Sequence, residues 1–425
     1  MTKKDNPTDR RDFLQQSILG SAGAGLVIAS TSHVAAAAST DSSEPELINE
    51  VDVLVVGGGT AGTIAAIQAG RAGANTLLLE RNAQLGGTMT TGGVAFPGLF
   101  DAWGQQVIAG IGWELVKECV ELDGGEFPNF AKVPQRHWHN QVHINQFLYA
   151  LLAEEKCEQA GVEIAYYEFP QSVEKTDTGW QVECAGFGTR RRILCKQIID
   201  CTGGAEVVGL MGLDRLREDE RQPGSFLFKM DTAHNPAENQ LHRLYVHGAD
   251  STNSRTVTKA NLTGRKAILA KVRNAKQRLM HLQPETGFRE SYRIVGEIMI
   301  TVNDYTSGRV FDDAVAYAFY PVDLHTKSGV KPKPLKPGTV PTIPLRALVP
   351  KGSQNVIVAG RCVCSDRLAN SGLRVQASCM AMGQAAGAAA ALAAKTGSTP
   401  LQVPLASIHG VLRENAAIIP ETSAV

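Results

Sequence analysis

The chain has 425 residues, with 42 Lys plus Arg against 42 Asp plus Glu, so its formal charge is zero. That balance excludes the basic footprint of a nucleic-acid backbone binder, while 43% hydrophobic and 20% charged residues describe a globular chain with ample core. Glycine is the outlier, at 42 residues of 425, above the usual ~7%; without a collagen-like period, the excess belongs at special backbone positions.

Residues 1–38 read as an export signal. Arg10-Arg11 precede Phe13-Leu14, an apolar Gly/Ala-rich stretch runs from Ile18 to about Ala29, and Ala35 to Ala38 supply a small-residue cleavage site. The apolar stretch is too short for a membrane span. The paired arginines resemble a twin-arginine signal, whose translocation machinery carries proteins already folded. The alternative is a tail that contains Arg-Arg by chance. The expectation is a periplasmic or secreted protein with no membrane span in its mature part. Residues 39–50, polar with Pro45, read as a linker.

Val51 to Val56 is β-branched and apolar, as a buried parallel strand should be. It runs into Gly57-Gly58-Gly59-Thr60-Ala61-Gly62, where Gly57, Gly59 and Gly62 fit G-x-G-x-x-G. In that pattern the first glycine allows the tight turn, the second lets backbone approach a pyrophosphate, and the third lets the next helix pack on the strand. A helix of small residues from about Ala61 to Ala72 follows, its N-terminus facing the phosphates. A second strand, Thr76 to Leu79, ends at Glu80, 18 residues after Gly62. A carboxylate there accepts ribose hydroxyls and repels a 2′-phosphate.

Leu85 to Gly93 carries two Gly-Gly pairs around hydroxyl residues, a loop able to lie flat against a large planar ligand. Helical spacing follows over Gln106 to Leu122 and over Ile144 to Gln159. Val162 to Ile164 and Trp180 to Cys184 read as strands joined by Thr178-Gly179, leading to a strand at Ile198. That strand ends in Asp200-Cys201-Thr202-Gly203. The stretch Asp231 to Thr256 is polar and carries no clear pattern, and Lys327 to Gly338 is a Lys/Pro/Gly loop, solvent-exposed or a lid. Asn355 to Val358 is another strand, running into Gly360-Arg361, and a small-residue helix extends from Arg374 to about Lys395 with Gly383 and Gly387 on one face. A nucleotide domain that opens at one end of the chain and closes at the other is the plan of two-part FAD enzymes rather than of a plain NAD domain. No second G-x-G-x-x-G is present for a nicotinamide cofactor, so the reducing equivalents are expected from the substrate itself; the electron acceptor stays open.

From Val51 to about Lys395 the chain resembles the FAD-dependent oxidoreductase family of uncertain substrate, whose members often carry export signals and are sometimes labelled xanthan-lyase-like. The matching stretches are Val56 to Gly62, Leu85 to Gly93, Ile199 to Gly204, Gly287 to Glu297, Tyr320 to His325, Ile343 to Pro350 and Ala359 to Gly387. The resemblance implies an α/β fold: a Rossmann-like, glutathione-reductase-type FAD-binding domain over 51–205 and 341–400, an inserted α+β substrate domain over 206–340, and a C-terminal tail over 401–425. It implies cofactor contacts from Gly57, Gly59, Thr60, Ala61, Gly62, Glu80, Arg81, Gly86, Gly87, Thr88, Thr202, Gly203, Gly360, Arg361, Arg374 and Val375. Two positions depart from the family pattern: Gly204 stands where an acid usually follows Thr-Gly, and Leu345 where a tyrosine is usual.

A flavin performs hydride chemistry, and the protein supplies position, charge and a proton acceptor. His325 is the expected base, because imidazole titrates near neutrality. Asp323, two residues away, shares its face in a strand and would orient the ring; the alternative is a structural histidine capping a loop. Arg289 is expected to grip a small polar substrate, carbohydrate-like or a hydroxy acid, with Arg293 on the same helix face and Glu290 nearby; a structural ion-pair network is the alternative. Arg374, at the head of the last helix, would stabilise charge on the reduced flavin. His137, His139 and His143 suggest a metal by spacing, but no acid or cysteine completes the set, so no metal is expected. The eight cysteines lack a C-x-x-C pair and read as buried thiols, Cys362-x-Cys364 included. The rival readings are a flavin lyase or isomerase without net redox, and a flavin electron carrier.

Overall fold

Uninterrupted β-branched and leucine residues can sit only in a strand covered on both faces, and Val53 to Val56 and Leu77 to Leu79 are almost wholly buried. They belong to β1 (Leu47–Val56) and β2 (Thr76–Glu80), joined by helix α1 (Thr60–Arg71). The structure is a computed structural model that describes residues 47–421 apart from 135, 233–234, 276, 327–328 and 331. The expected export signal, and the linker as far as residue 46, lie outside the described residues. Four further strands, β3 (Val162–Tyr166), β4 (Phe169–Lys175), β5 (Trp180–Ala185) and β6 (Arg190–Asp200), complete most of a seven-stranded sheet in the order β3-β2-β1-β6-β5-β4. The seventh, the return strand Val356–Val358, pairs in parallel with β6.

β6 is long because it has two partners on one edge. Its first half pairs antiparallel with β5 and its last three residues pair with the return strand. Val56 lies opposite Leu79 and Asp200, and Val358 lies opposite Asp200. The carboxyl ends of β1, β2, β6 and the return strand therefore finish level, and the turns that leave them share one edge of the sheet.

Several boundaries differ from the sequence reading. β1 begins at Leu47, inside the expected linker, because Leu47 to Val51 pair with Arg191 to Cys195. The turn at Thr178-Gly179 joins β4 to β5, not β3 to β5; β4 escaped notice because its faces alternate and Pro170 interrupts it. The first expected helix starts at Ile111 rather than Gln106, since Gln105-Gln106 pair with Asp101-Ala102. The second starts at Gln146, where the Asn145 side chain accepts the Phe147 and Leu148 N–H groups.

Beyond β6, β7 (Gly224–Thr232), β8 (Asn235–Val246) and β9 (Leu279–Leu282) form a separate antiparallel sheet. Helix α2 (Ser254–Asn274) covers it, and Phe226, Phe228, Met230, Val246 and Ile268 make a second apolar cluster. The patternless polar stretch 231–256 therefore holds the end of β7, all of β8 and the start of α2, and in the last part of β8 Leu241 and Arg243 are exposed. A short hairpin follows, β10 (His325–Thr326) with β11 (Gly329–Val330).

The closing helix α3 (Gln376–Thr396) is the one helix among the described residues long and apolar enough to cross a membrane, and it is buried in the core. It packs along α1. A Cβ at Gly383 would overlap the Ala61 carbonyl oxygen, and one at Gly387 the Ala65 carbonyl oxygen. Arg374 does not open this helix. It sits in the turn after helix Arg367–Leu373, because Val375 is extended (φ −66°, ψ 142°) and breaks the run. The expected C-terminal tail holds a further helix, Leu405–Glu414, with Ile408 and Leu412 buried.

Replacing a helical glycine by alanine ordinarily stabilises by ~1 kcal/mol. Gly410→Ala, where a Cβ meets open space, should follow that rule. Gly383→Ala should reverse it and destabilise by ~1–3 kcal/mol, as overpacking does. Urea unfolding of the two variants beside the parent checks the opposite signs.

Candidate functional site

A cavity of about 630 Å³ opens along the shared edge of the strand ends, where ligands of open α/β sheets are received. Of the residues expected to hold cofactor, Gly62 and Gly86 stand outside its lining and the other fourteen line it; so do His325, Asp323 and Arg289. Gly62 and Gly86 instead build the walls. A Cβ at Gly62 would overlap the Gly57 carbonyl oxygen, so Gly62 lets α1 press on the turn. The Gly86 N–H donates to the Gly58 carbonyl at 2.8 Å and ties the second glycine loop to the first.

At this end Gly57 turns at φ 98°, with room for no side chain, since a Cβ would lie 2.6 Å from the Cys201 oxygen. Glu80 is buried at the tip of β2. Its Oε2 accepts the Gly58 N–H at 2.7 Å and its Oε1 accepts the Asn82 N–H at 2.8 Å. Burial raises its pKa, against those hydrogen bonds and Arg81. Each oxygen keeps a second lone-pair site for a hydroxyl donor. Asp200 shapes the opposite wall: its Oδ1 accepts the Thr202 hydroxyl at 2.7 Å, and its Oδ2 accepts the Val208 N–H at 3.1 Å. Arg361 donates to the Gly203 and Phe288 carbonyls. Burial raises the carboxyls of Glu206 and Glu285 here, with Arg81 pulling both back.

The other end is built around His325. Its Nε2 lies 3.1 Å from Asp323 Oδ2 and its Nδ1 lies 3.2 Å from the Tyr245 hydroxyl. Burial pushes the imidazole below its ordinary value; the Asp323 hydrogen bond opposes this, and Arg289 and Arg374 add to the fall. Burial also works against the charged form of Asp323, but His325, Arg374 and Arg289 hold it below the usual carboxylate range. Gln222, buried, binds this group together. Its Oε1 accepts the His325 N–H at 2.9 Å and Arg374 Nη2 at 3.3 Å, while its Nε2 donates to Glu290 at 2.9 Å. Glu290 is in turn paired with Arg367.

Three expectations need correction. Arg289 and Arg293 share no helix: Arg293 lies in a two-residue strand and pairs with Glu218, while Arg289 reaches the cavity. The ion-pair alternative thus describes Glu290 and Arg293, and not Arg289. His139 and His143 are not one helical turn apart, because the 3₁₀ turn His137–Asn140 ends between them; His137 lines the cavity with its ring 4.9 Å from that of Tyr320. Among the described residues, no three acids, histidines or cysteines converge on a metal position. Arg374 meets the His325 group through the Asp323 carbonyl, at 3.3 Å, rather than from a helix head. The reading of the sequence missed Gln222, Arg243, Tyr245 and Tyr320. Gln222 and Tyr320 sit in loops and Arg243 and Tyr245 in a polar strand; Tyr320 opens the Tyr320 to His325 stretch but was given no role there, and no spacing links the other three to His325.

These residues fit a flavin dinucleotide. A Cβ at Gly59 would meet no protein atom within 4 Å, so that glycine keeps clear a space belonging to something else. Glu206 Oε2 and Arg374 Nε are buried without a partner on the two sides of the cavity. Gly59 has an unexceptional φ of −70°, so Gly59→Val should leave far-UV circular dichroism unchanged yet fill the cradle. Purified Gly59→Val is expected to lack the ~450 nm flavin band carried by the parent.

The family model described as FAD dependent oxidoreductase matches residues 52–276 and 269–412. Among solved structures, the chain is similar to an anhydrotetracycline hydroxylase from Streptomyces rimosus, with 14% identity over 86% of this chain and 66% of that one, TM-score 0.43. It is also similar to a geranylgeranyl bacteriochlorophyll reductase-like protein from Thermoplasma acidophilum, with 12% identity over 86% and 84% of the two chains, TM-score 0.45. A flavoprotein/dehydrogenase from Cytophaga hutchinsonii shares 14% identity over 83% and 80%, TM-score 0.42. No curated protein matches the chain. The family match runs from β1 to helix Leu405–Glu414 and takes in both ends of the cavity, so the chain belongs to the FAD dependent oxidoreductase family and is an enzyme whose cofactor is FAD.

Proposed function

We propose that the protein oxidises a small polar substrate, carbohydrate-like or a hydroxy acid, at a carbon that bears a hydroxyl. FAD, when bound, supplies hydride acceptance at its N5. The contact that carries the reading is Asp323 against His325 in the cavity wall, at 3.1 Å. An ionised carboxylate can only accept, so Nε2 holds the ring proton and Nδ1 keeps a lone pair. Burial keeps the ring neutral at physiological pH. The Tyr245 hydroxyl donates to that lone pair at 3.2 Å, so the substrate hydroxyl proton passes to the Tyr245 oxygen as the Tyr245 proton passes to Nδ1, and Asp323 stabilises the imidazolium that results. Gln222 holds the backbone of His325 in place, and Arg289 and Arg374 give the end a positive field. The region 206–340 contributes most of this substrate end, with Arg374 added from 341–400; 51–205 and 341–400 contribute most of the FAD cradle, with Glu206 and Glu285 added from 206–340.

Residues 1–38 act, on this reading, as a twin-arginine signal that sends the folded enzyme to the periplasm or outside the cell. The cradle supports that route. Its residues run from Gly57 to Cys379, so it exists only once both halves of the sheet have folded, which suits a pathway that carries folded proteins. Lysine in place of Arg10 and Arg11 should leave full-length, FAD-loaded protein in the cytoplasm, while the parent appears outside it shortened near Ala38. Fractionation and N-terminal sequencing read both; a parent found unprocessed in the cytoplasm rejects the route.

Anaerobic mixing with a panel of sugars and hydroxy acids should bleach the flavin band for at least one class; no bleaching by any member rejects the proposal. For a substrate that bleaches, His325→Ala should slow reduction by roughly 10²–10⁴-fold with flavin content unchanged. The parent's rate should rise with pH as the imidazole loses its proton, with a midpoint below the ordinary histidine value of ~6.5, the direction in which burial moves it.

A further inference from the structure

The cavity has two groups of charge. Glu206 and Glu285 share Arg81 and Arg361 as their charged neighbours. Around His325 the balance differs: Arg243, Arg289 and Arg374 all line the cavity, and Asp323 is the acid on which Arg289 and Arg374 act. That acid is already committed to His325.

None of the three arginines has a carboxylate of its own among the described residues. Arg289 donates to neutral acceptors, the Pro223 carbonyl at 2.6 Å and the Ser225 hydroxyl at 2.9 Å, with its guanidinium 5.5 Å from the Tyr245 ring centre. Arg374 meets the Gln222 amide oxygen and the Asp323 carbonyl, and its Nε is buried without a partner. Arg243, exposed on β8, has no hydrogen bond or ion pair to any described residue. Three like charges facing one void repel one another, and Arg289 shows it: burial first, then Arg374 and Arg243, lower its hold on its proton. Folding alone does not favour such an arrangement; an anion in the void does, because it offsets all three charges together.

We propose that the substrate carries a carboxylate, gripped by Arg243 and Arg289, which makes it a hydroxy acid rather than a neutral sugar. A planar guanidinium matches a carboxylate through two parallel N–H···O bonds. Tyr245 joins the grip to the base: it lies under Arg289 and its hydroxyl is 3.2 Å from His325 Nδ1. A carboxylate held at Arg289 therefore leaves its neighbouring hydroxyl within reach of the Tyr245 oxygen. This rests on the proposed oxidation for its chemistry, but the anion site can be tested apart from it.

Lactate, malate and gluconate can be compared with lactamide, malamide and glucitol on the FAD-loaded enzyme, by calorimetric affinity and by anaerobic loss of the flavin band. Inorganic phosphate serves as a third arm. At least one acid should bind, its uncharged counterpart roughly tenfold or more weaker. Arg243→Gln should weaken that acid by roughly 10–100-fold without changing its counterpart; Arg243 is chosen because no described contact depends on it. His325→Ala should retain the acid's affinity. Equal binding of acid and counterpart, indifference to Arg243→Gln, or phosphate binding better than every acid overturns the carboxylate site. Acids that bind through Arg243 and never bleach the flavin leave this inference standing and reject the oxidation. Neutral compounds that bleach it do the reverse.

Discussion

The contact on which the rest depends is backbone against backbone along α1. On one side Gly62 lets the helix lie on the Gly57 turn; on the other, Gly383 and Gly387 let α3 lie on the Ala61 and Ala65 carbonyls. Larger residues at these points would lift α1 away from the sheet, and its N-terminus would no longer sit at the end of β1. The level strand ends would then have no helix among them, and the cavity would lose the face that suits a phosphate. This explains why the closing helix consists so largely of alanine and glycine. Its task is close approach, and its burial of apolar surface is spread over many small side chains instead of a few large ones.

Much of this was legible in the sequence because the signals are local. The Val53–Val56 run, the glycine turn, the small helix and Glu80 follow one another within one βαβ unit, and each constrains the next. Asp323 and His325 were legible for the same reason, being two residues apart. Arg374 was read as the head of α3, two residues before that helix begins, because helix-forming residues surround it; the extended Val375 that separates two helices leaves no mark in composition. The helix drawn through Arg289 and Arg293 failed for a related reason. Spacing by four fits a helix, yet here Arg293 is drawn to Glu218 and Arg289 to the Pro223 carbonyl, partners about seventy positions away.

The residues that were missed share one property: their roles exist only through contacts distant in the chain. Gln222 joins His325 across 103 positions and Arg374 across 152. Tyr245 meets His325 across 80. A single glutamine in Arg221-Gln222-Pro223 has no pattern to betray it. In three dimensions its side chain touches the base's backbone, the arginine beside it and the buried Glu290 of the Glu290–Arg367 pair. The precision of the His325 end thus comes from a polar network in the second sheet region and the helix Arg367–Leu373 together, and neither alone would hold it.

The two ends of the cavity manage charge in opposite ways. Around the glycine turn acids and arginines face one another: Glu80 and Arg361 are hydrogen-bonded to backbone and Arg81 lies 3.7 Å from Glu206, whose second oxygen is left without a partner. Around His325 the pairing is left unfinished. Asp323 can neutralise one positive charge, and it is already engaged in keeping the ring proton on Nε2. Buried guanidinium groups that meet only neutral oxygens carry a desolvation cost with no compensating charge. That cost belongs where a ligand removes it, because binding then draws on strain already present in the folded chain. It also suits the direction of the proposed reaction. A positive field lowers the basicity of His325, which keeps the ring neutral and ready to accept a proton; an anion arriving beside it raises that basicity at the moment a hydroxyl proton must be taken. On that proposal binding and proton transfer are coupled through Arg289, which belongs to the grip and also acts on His325.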